Sequence, residues 1–568
     1  MNDSLPPSAA AGSSGSSCST SNETIKVPAI KLEDREVAVL DLVDGFTKHL
    51  AKTRADLPSV ECRVAGGWVR DKLLGMASED LDICISSLTG HHFATLLESY
   101  IHLQKSDSDG TADPAIAKTK IAKIQANPDQ SKHLETARMH VLGMEVDLVQ
   151  LRSEEYANGA GDGGEGGSRI PTSIKFGTPL EDALRRDITI NTLFYNIHTR
   201  QVEDWTQKGL SDLLSSSPLI RTPLEPLQTF LDDPLRILRC IRFASRFNFP
   251  LDPSIKPAVE DARVKRALLT KVSKERIGVE LEKMLRGRDP LLSLKMIVHL
   301  SLYNDLFSAL PSAQDASPLP EDAPQRALAA CQILANIENG SIRLPEKLLT
   351  PLQDKTAVKR LWLALYLEPL RGLTFTEKKK VLPLTDAVVR DSIKLSGLDR
   401  SFVQHIQAAS SKLSLDSLHR LATLRDASNE RSSLGFLLRD PDVHNSTDSL
   451  DWRMSVLHAL ILEVAARPHA LQDIIAAYVR FVDRIEELEL DTRAFEKSRL
   501  DGMETIKLLG IKPGPITSAL LQKVVEWQLD HPEGSKEECG QYIKAEYAAG
   551  HIVAPPVVAK AGNKKGKQ

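Results

Sequence analysis

An α/β head followed by a long all-α remainder is the fold the sequence predicts, and three observations predict it. Two-residue alternation is concentrated in the first third: Val60, Cys62 and Val64 alternate with Glu61 and Arg63, Leu81, Ile83 and Ile85 repeat the pattern, and Val146 and Leu148 do so again. A Gly66-Gly67 turn then separates the first strand from a short helical stretch, Trp68 to Leu74, stopped by Gly75. Beyond about residue 228 the apolar residues recur at three- and four-residue spacing, as in Arg360 to Leu367, Leu457 to Ala466 and Leu471 to Val482.

Composition bounds the function. The 568 residues are 42% hydrophobic and 26% charged, enough for roughly three to four domains. A net charge of −4 offers no global basic field, so a nucleic-acid partner needs local patches. Aromatic residues are 5%, too few for a protein built on base-stacking platforms. No apolar run reaches the about 18 residues of a membrane span. Six scattered cysteines without a C-x-x-C pair argue against a disulfide scaffold or cysteine zinc site and point to a reducing, intracellular setting.

Taken in order, residues 1–22 are mostly Ser, Ala, Gly and Pro, without Lys or Arg, and are expected to be disordered and neither signal nor transit peptide. Residues 105–132, polar and broken by Gly110, Pro114 and Pro128, and the Gly-rich 157–168 read as insertions. A Pro-rich linker at 311–324 divides the helical part, and Lys560 to Gln568 form a solvated Gly/Lys end. The expected division is 1–30 disordered, 31–200 head, 201–290 neck, 291–400 helical body, 401–555 helical tail and 556–568 disordered basic end.

The chemistry concentrates on two strands. In Glu79-Asp80-Leu81-Asp82-Ile83, residues two apart share a face, so Asp80 and Asp82 point together away from the core. Two such carboxylates repel, and Mg²⁺, which takes one or two carboxylates with waters and phosphates, would relieve the repulsion. Asp147, on the strand Met144 to Gln150, is a weaker third ligand. Taken alone, Asp-x-Asp on a strand is more often a solvated polar face. The Gly66-Gly67 turn before it offers backbone N–H groups to a triphosphate, with Arg70 on the following helix for a further phosphate contact.

The whole string R-V-A-G-G-W-V-R-D-K-L-L-G followed by D-L-D resembles the signature of template-independent nucleotidyltransferases related to polymerase beta, in the subgroup shared by CCA-adding enzymes and bacterial poly(A) polymerases. Four further segments resemble that subgroup's later motifs: Arg185-Arg186-Asp187 to Asn196, Asp204 to Leu213 with Gly209 and Asp212, Asp232-Asp233-Pro-Leu-Arg236, and Val272 to Met284 with Arg276 and Glu280. Their wording is closest to the fungal CCA-adding form.

The resemblance implies addition of C, C and A to tRNA 3′ ends from CTP and ATP with two Mg²⁺ ions, Asp80 and Asp82 holding the metal and Asp147 assisting. Gly66, Gly67, Arg70, Arg186, Asp187, Asn191, Asp233, Arg236, Arg239 and Arg276 would meet the nucleotide. Motif two reads as a helix with an Ile190, Leu193, Phe194 and Ile197 stripe and Arg185 to Asp187 at its start. In motif four, Asp233 can cap a helix that begins with Pro234. The helix then carries a basic arc of Arg236, Arg239, Arg242 and Arg246. Ser273 is the expected cap of the motif-five helix. Body and tail are implied to grip the acceptor end and elbow of tRNA, with Lys378 to Lys380 among the candidate basic residues. No protein partner and no membrane are expected, and the setting is cytoplasm and nucleus with room for a mitochondrial form. A poly(A)-adding enzyme on the same head and neck is the alternative, and a non-catalytic RNA-binding module is the reading from another class.

Overall fold

The computed structural model describes residues 26–78, 80–107, 120–124, 136–155, 173–308, 313 and 315–553. The expectations for residues 1–22, 157–168 and 556–568 lie outside these. The chain divides into two compact units at Leu224/Glu225, so the 201–290 span expected as one neck is shared between them.

The first unit is built on a seven-stranded mixed sheet. Its elements run α1 (Asp34–Thr53), β1 (Cys62–Ala65), α2 (Gly67–Leu73), β2 (Leu81–Ile85), α3 (Gly90–Asp107), β3 (Lys120–Ile124), β4 (Thr136–Val141), β5 (Met144–Gln150), β6 (Arg152–Glu155), β7 (Ser173–Phe176), α4 (Pro179–Leu184), β8 (Phe194–Asn196), β9 (Gln201–Glu203) and α5 (Gly209–Leu214). The sheet order is β3-β4-β5-β2-β1-β8-β9, and β6 pairs separately with β7. Only β2 and β5 run parallel; the other pairs are antiparallel.

Alternation on the central strands holds only in part. Leu81 and Ile83 are buried and Asp82 is open, but Cys84 is buried as well, and all four residues of β1 are buried. The second face is covered near its far end by a small cluster of Ala65, Cys84, Leu151, Ala183 and Phe194, so only the Asp82 end keeps a polar side. Arg63 in β1 tolerates burial because Glu61 and Glu203 each take one of its nitrogens at 2.7 Å. Part of the 105–132 segment, expected as a mere insertion, adds the edge strand β3 against β4.

Motif two is not a helix. Arg185 caps the end of α4, Thr189–Asn191 form one 3₁₀ turn, and the chain then enters β8. Side chains and backbone compete here: Asp187 Oδ1 accepts the Ile188 N–H at 2.9 Å, and the Thr189 hydroxyl donates to Asp212 Oδ2 at 2.6 Å. Backbone pairing of β8 with β1, Ala65 opposite Phe194, completes the override. Ile190, Leu193, Phe194 and Ile197 are all fully buried, as core residues of a strand and turn rather than as a helical stripe. Gly209 packs where a Cβ would lie 2.8 Å from both the Thr189 carbonyl oxygen and a Leu193 methyl.

The second unit is dominated by helices, beginning with α6 (Pro226–Asp232), α7 (Arg236–Phe247), α8 (Ile255–Glu260), α9 (Ala262–Lys271) and α10 (Lys274–Leu285). Of the three helical stretches foreseen further on, Leu457 to Ala466 and Leu471 to Val482 fall within Trp452–Ala466 and Leu471–Glu487, and Arg360 to Leu367 overruns Lys355–Tyr366 by one residue, Leu367 being its C-cap. Among the described residues, a hairpin of β10 (Thr374–Glu377) and β11 (Lys380–Pro383) departs from all-α. Its two turn residues, Lys378 and Lys379, both have positive φ, +48° and +65°. That is the two-residue turn usually given to Asn-Gly, and a Cβ-bearing residue there costs about 1 kcal/mol or more.

His458, on the helix Trp452–Ala466, is fully buried, with Nδ1 3.0 Å from the Ser410 hydroxyl. Burial, with a smaller contribution from Arg371, pushes its pKa down to about 3. Below pH 6.5 the unfolded chain takes a proton that the folded chain refuses. Stability is therefore full above pH 6.5 and is expected to fall by about 1.4 kcal/mol per pH unit down to about pH 3. Urea midpoints across that range check it: His458→Gln is expected to remove one proton's worth of slope, and an unchanged slope would disprove the assignment.

Candidate active site

The sheet register brings the acidic residues together. Asp82 lies directly opposite Asp147 on the parallel pair β2–β5, and Arg138 lies opposite Asp147 on β4–β5. Asp80 immediately precedes β2. One edge of Asp82 is open to solvent, yet the protein crowded around its carboxyl, then the Asp147 and Asp80 carboxylates, raise its pKa above the ordinary range, with Arg186 and Arg138 pulling the other way. Arg138 grips Asp147 with two hydrogen bonds, Nε to Oδ1 at 2.8 Å and Nη2 to Oδ2 at 3.0 Å, and also reaches Glu145 at 2.5 Å.

Among the described residues, no group of three or more His, Cys, Asp or Glu side chains stands gathered as a ready metal cage. The donor set nevertheless suits a hard divalent cation. It is all carboxylate, open on one side, and carries a mutual repulsion at Asp82, partly offset by Arg186 and Arg138, that a cation would offset further.

Beside the strands lies a network of arginines and their partners. Gly66 adopts φ +68° and ψ −120°, a region open to glycine, and a Cβ there would lie 2.7 Å from the Arg186 guanidinium. Arg186 donates from Nη1 to the Asn191 carbonyl at 3.1 Å and from Nη2 to Asp182 Oδ2 at 2.8 Å, and its guanidinium lies 5.1 Å from the Phe194 ring centre. Arg70 donates to the Asn191 side-chain oxygen and to Asp71 at 2.9 Å, while Asn191 Nδ2 donates to Asp187 at 3.0 Å. Gly66, Arg70, Arg186, Asp187 and Asn191, distant in sequence, thus form one connected set.

In the second unit, α6 ends at Asp232 and α7 begins at Arg236, so Pro234 and Leu235 form a turn rather than the first helical residues expected. Asp233 is therefore not the N-cap of α7, which falls at Leu235, although its Oδ1 accepts the Leu235 N–H at 3.2 Å. Its Oδ2 accepts from Arg276 Nη2 at 2.9 Å. Arg236 is buried and donates to the Thr229 carbonyl at 3.4 Å. The basic arc is not a solvated face. Arg242 pairs with buried Glu280 at 2.5 Å and stacks 4.1 Å from the Phe243 ring, Arg239 lies 4.0 Å from Glu280, and Arg246 stacks 5.0 Å from Phe247. Ser273 occupies the cap position of α10, but its hydroxyl makes no capping hydrogen bond.

Comparison with known proteins gives the family. Residues 62–217 match the family described as "Poly A polymerase head domain", and 248–314 match "Probable RNA and SrmB- binding site of polymerase A". The chain is 36% identical to the tRNA nucleotidyltransferase cca2 of Schizosaccharomyces pombe, over 91% of this chain and 99% of that protein. It is 35% identical to the mitochondrial CCA tRNA nucleotidyltransferase of Saccharomyces cerevisiae, over 92% and 95%. The chain belongs to the tRNA nucleotidyltransferase family. A solved CCA-adding enzyme in an apo form shares the fold, with a TM-score of 0.57 at 20% identity over 91% of this chain and 96% of that one.

Three residues of this tRNA nucleotidyltransferase family member escaped the sequence reading. Asp182, fully buried, holds both Arg185 and Arg186, and despite its burial the two guanidinium groups hold its pKa down at about 2. Its spacing of three and four residues before them was the available signal. Glu280 was quoted within a motif but not as the partner of Arg242; Arg138 had no signal, since only strand register places it beside Asp147.

Proposed function

We propose that this protein adds C, C and A to the 3′ end of tRNA from CTP and ATP, without a nucleic-acid template. The observation that carries the reading is the alignment of Asp82 with Asp147 on adjacent parallel strands, next to Asp80. Asp80, Asp82 and Asp147 would hold Mg²⁺, two ions in this reading, and the bound metal supplies neutralisation of charge at the phosphate and at the attacking and leaving oxygens. Arg70 and Arg186, spaced by the glycine turn at Gly66 and Gly67, meet the triphosphate, and Asp187 and Asn191 fix their orientation and contact the sugar. Nucleotidyl transfer otherwise needs positioning of the 3′-hydroxyl in line with the α-phosphate more than covalent help.

Asp233 and Arg236 read the base. Cytosine and adenine each present an amino donor beside a ring-nitrogen acceptor, so one carboxylate and one guanidinium satisfy either. Uracil and guanine present the reverse order and leave buried polar groups unpaired, at a cost of several kcal/mol. The bonds from Arg276 and the Leu235 N–H hold the Asp233 carboxylate in one orientation, and Arg239 supports the same face.

In this assignment residues 31–200 catalyse, 201–290 read the base, 291–400 form the body and 401–555 bind tRNA. Relatives named mitochondrial support a mitochondrial form, and the reading extends to cytoplasm and nucleus. The head motif, described for poly(A) polymerase, keeps A-tail synthesis as the second reading.

The test incubates the protein with tRNA lacking its 3′ end, Mg²⁺ and each nucleotide singly and together, then sequences the products. Two C followed by one A, absent in Asp80→Ala/Asp82→Ala, is the expected result. Long A tails would transfer the assignment to the second reading, and no incorporation would leave a non-catalytic RNA-binding protein.

A further inference from the structure

The β10–β11 hairpin stands out in a helical region for its tip. Lys378, Lys379 and Lys380 are consecutive and exposed, and Val381 beside them is 71% exposed. Among the described residues, none of the three ammonium groups has a carboxylate within ion-pair distance. The one acidic neighbour in the turn, Glu377, is already engaged: Arg390 donates to its two oxygens at 3.2 and 3.0 Å. The tip therefore carries unbalanced positive charge on a chain whose net charge is −4.

The hairpin is also held rigidly at its base. Phe375 is buried with Arg390 packed 6.0 Å from its ring centre, Arg390 additionally pairs with Asp386 at 2.9 Å, and the Ser317 N–H donates to the Thr374 carbonyl at 2.9 Å. Lys378 and Lys379 both sit at positive φ, where Asn-Gly would fit without strain. Two lysines thus occupy positions that folding alone would give to other residues, which points from an observed backbone outlier toward function.

We propose that this hairpin tip is a contact for the phosphate backbone of tRNA, an inference that rests on the tRNA-directed reading above. Lysine is a compact, hydrated point charge suited to phosphate oxygens without base readout. The tip presents no exposed aromatic ring on which a base would stack, since Phe375 is buried. A two-residue turn held at its base fixes the backbone from which both side chains project, so little backbone freedom is lost on binding.

The experiment compares the full-length protein with Lys378→Asn/Lys379→Gly and with Lys378→Arg/Lys379→Arg, measuring tRNA binding across a salt series and the KM and kcat of nucleotide addition. The Asn-Gly variant relieves the turn, so its Tm is expected to stay level or rise, and lost binding cannot then be lost folding. Its tRNA affinity is expected to fall about three- to tenfold near 0.1 M salt, with the log–log salt slope shallower by about one to two. KM for tRNA rises by a similar factor, kcat holds, and the arginine variant restores binding. Unchanged slope and KM in an active protein would overturn the proposal and turn the tip toward an acidic protein surface. A wild-type protein that binds tRNA but adds nothing would instead refute the catalytic reading, and the salt series would still decide the hairpin.

Discussion

Asp82→Asn is expected to lower nucleotide incorporation by about a thousandfold or more, roughly 4 kcal/mol of transition-state stabilisation, while the protein stays folded. The two effects separate for a physical reason. The Asp82 carboxyl sits among protein groups and beside the Asp147 and Asp80 carboxylates, all of which raise its pKa. A carboxylate whose folded pKa is raised detracts from stability above its unfolded pKa, and a neutral amide of the same shape removes that penalty. Thermal unfolding at neutral pH should therefore give an equal or higher Tm for the variant, alongside single-turnover rates that collapse. A variant that unfolds would show that Asp82 is structural, and a folded one that retains more than a tenth of the rate would show that it is not catalytic.

The largest loss of stability is expected at Asp182. This residue is fully buried and takes hydrogen bonds from both Arg185 and Arg186. Asp182→Asn would take the Asp182 charge away from two partly buried guanidinium groups, at about 3 to 5 kcal/mol. Urea unfolding should show the drop as a lower midpoint at unchanged slope. Acid acts on the same pair. The folded pKa, about 2, lies below the ordinary 3.8, so the pairing contributes fully above pH 3.8 and is lost as pH falls toward 2, about 2 kcal/mol in all. Arg186 would also lose its anchor next to Gly66, so KM for CTP and ATP should rise in any variant that remains folded. An unfolding free energy within about 0.5 kcal/mol of the wild type would refute the assignment.

Other residues mark where sequence reasoning succeeds and stops. The outward face of Asp82 was legible because a strand period of two is a local property, and Leu81 and Ile83 on either side named the buried face. Asp233 does bond a backbone N–H only two residues away, but the cap of α7 falls at Leu235 because Pro234 and Leu235 form a turn before the helix. The motif-two segment misled because its apolar residues are core residues in either conformation. Whether they sit on a helix or a strand was decided by the pairing of β8 with β1 and by the Thr189–Asp212 bond, both with partners distant in the chain.

What the sequence by itself determined is the kind of chemistry: acidic pairs on a strand, a glycine turn, arginines in fixed motifs, and a helical remainder. Those follow from local periodicity and residue type. What only the tertiary structure decided is who meets whom. Register put Asp147 opposite Asp82 and Arg138 opposite Asp147. Packing of α10 against α7 brought Arg276 to Asp233 and Glu280 to Arg242 across 43 and 38 residues of chain. The strained lysine turn is likewise invisible in sequence, because nothing local obliges two lysines to positive φ. Local preference acts within a few residues, whereas these contacts exist because burial and hydrogen bonding across the fold outweigh it.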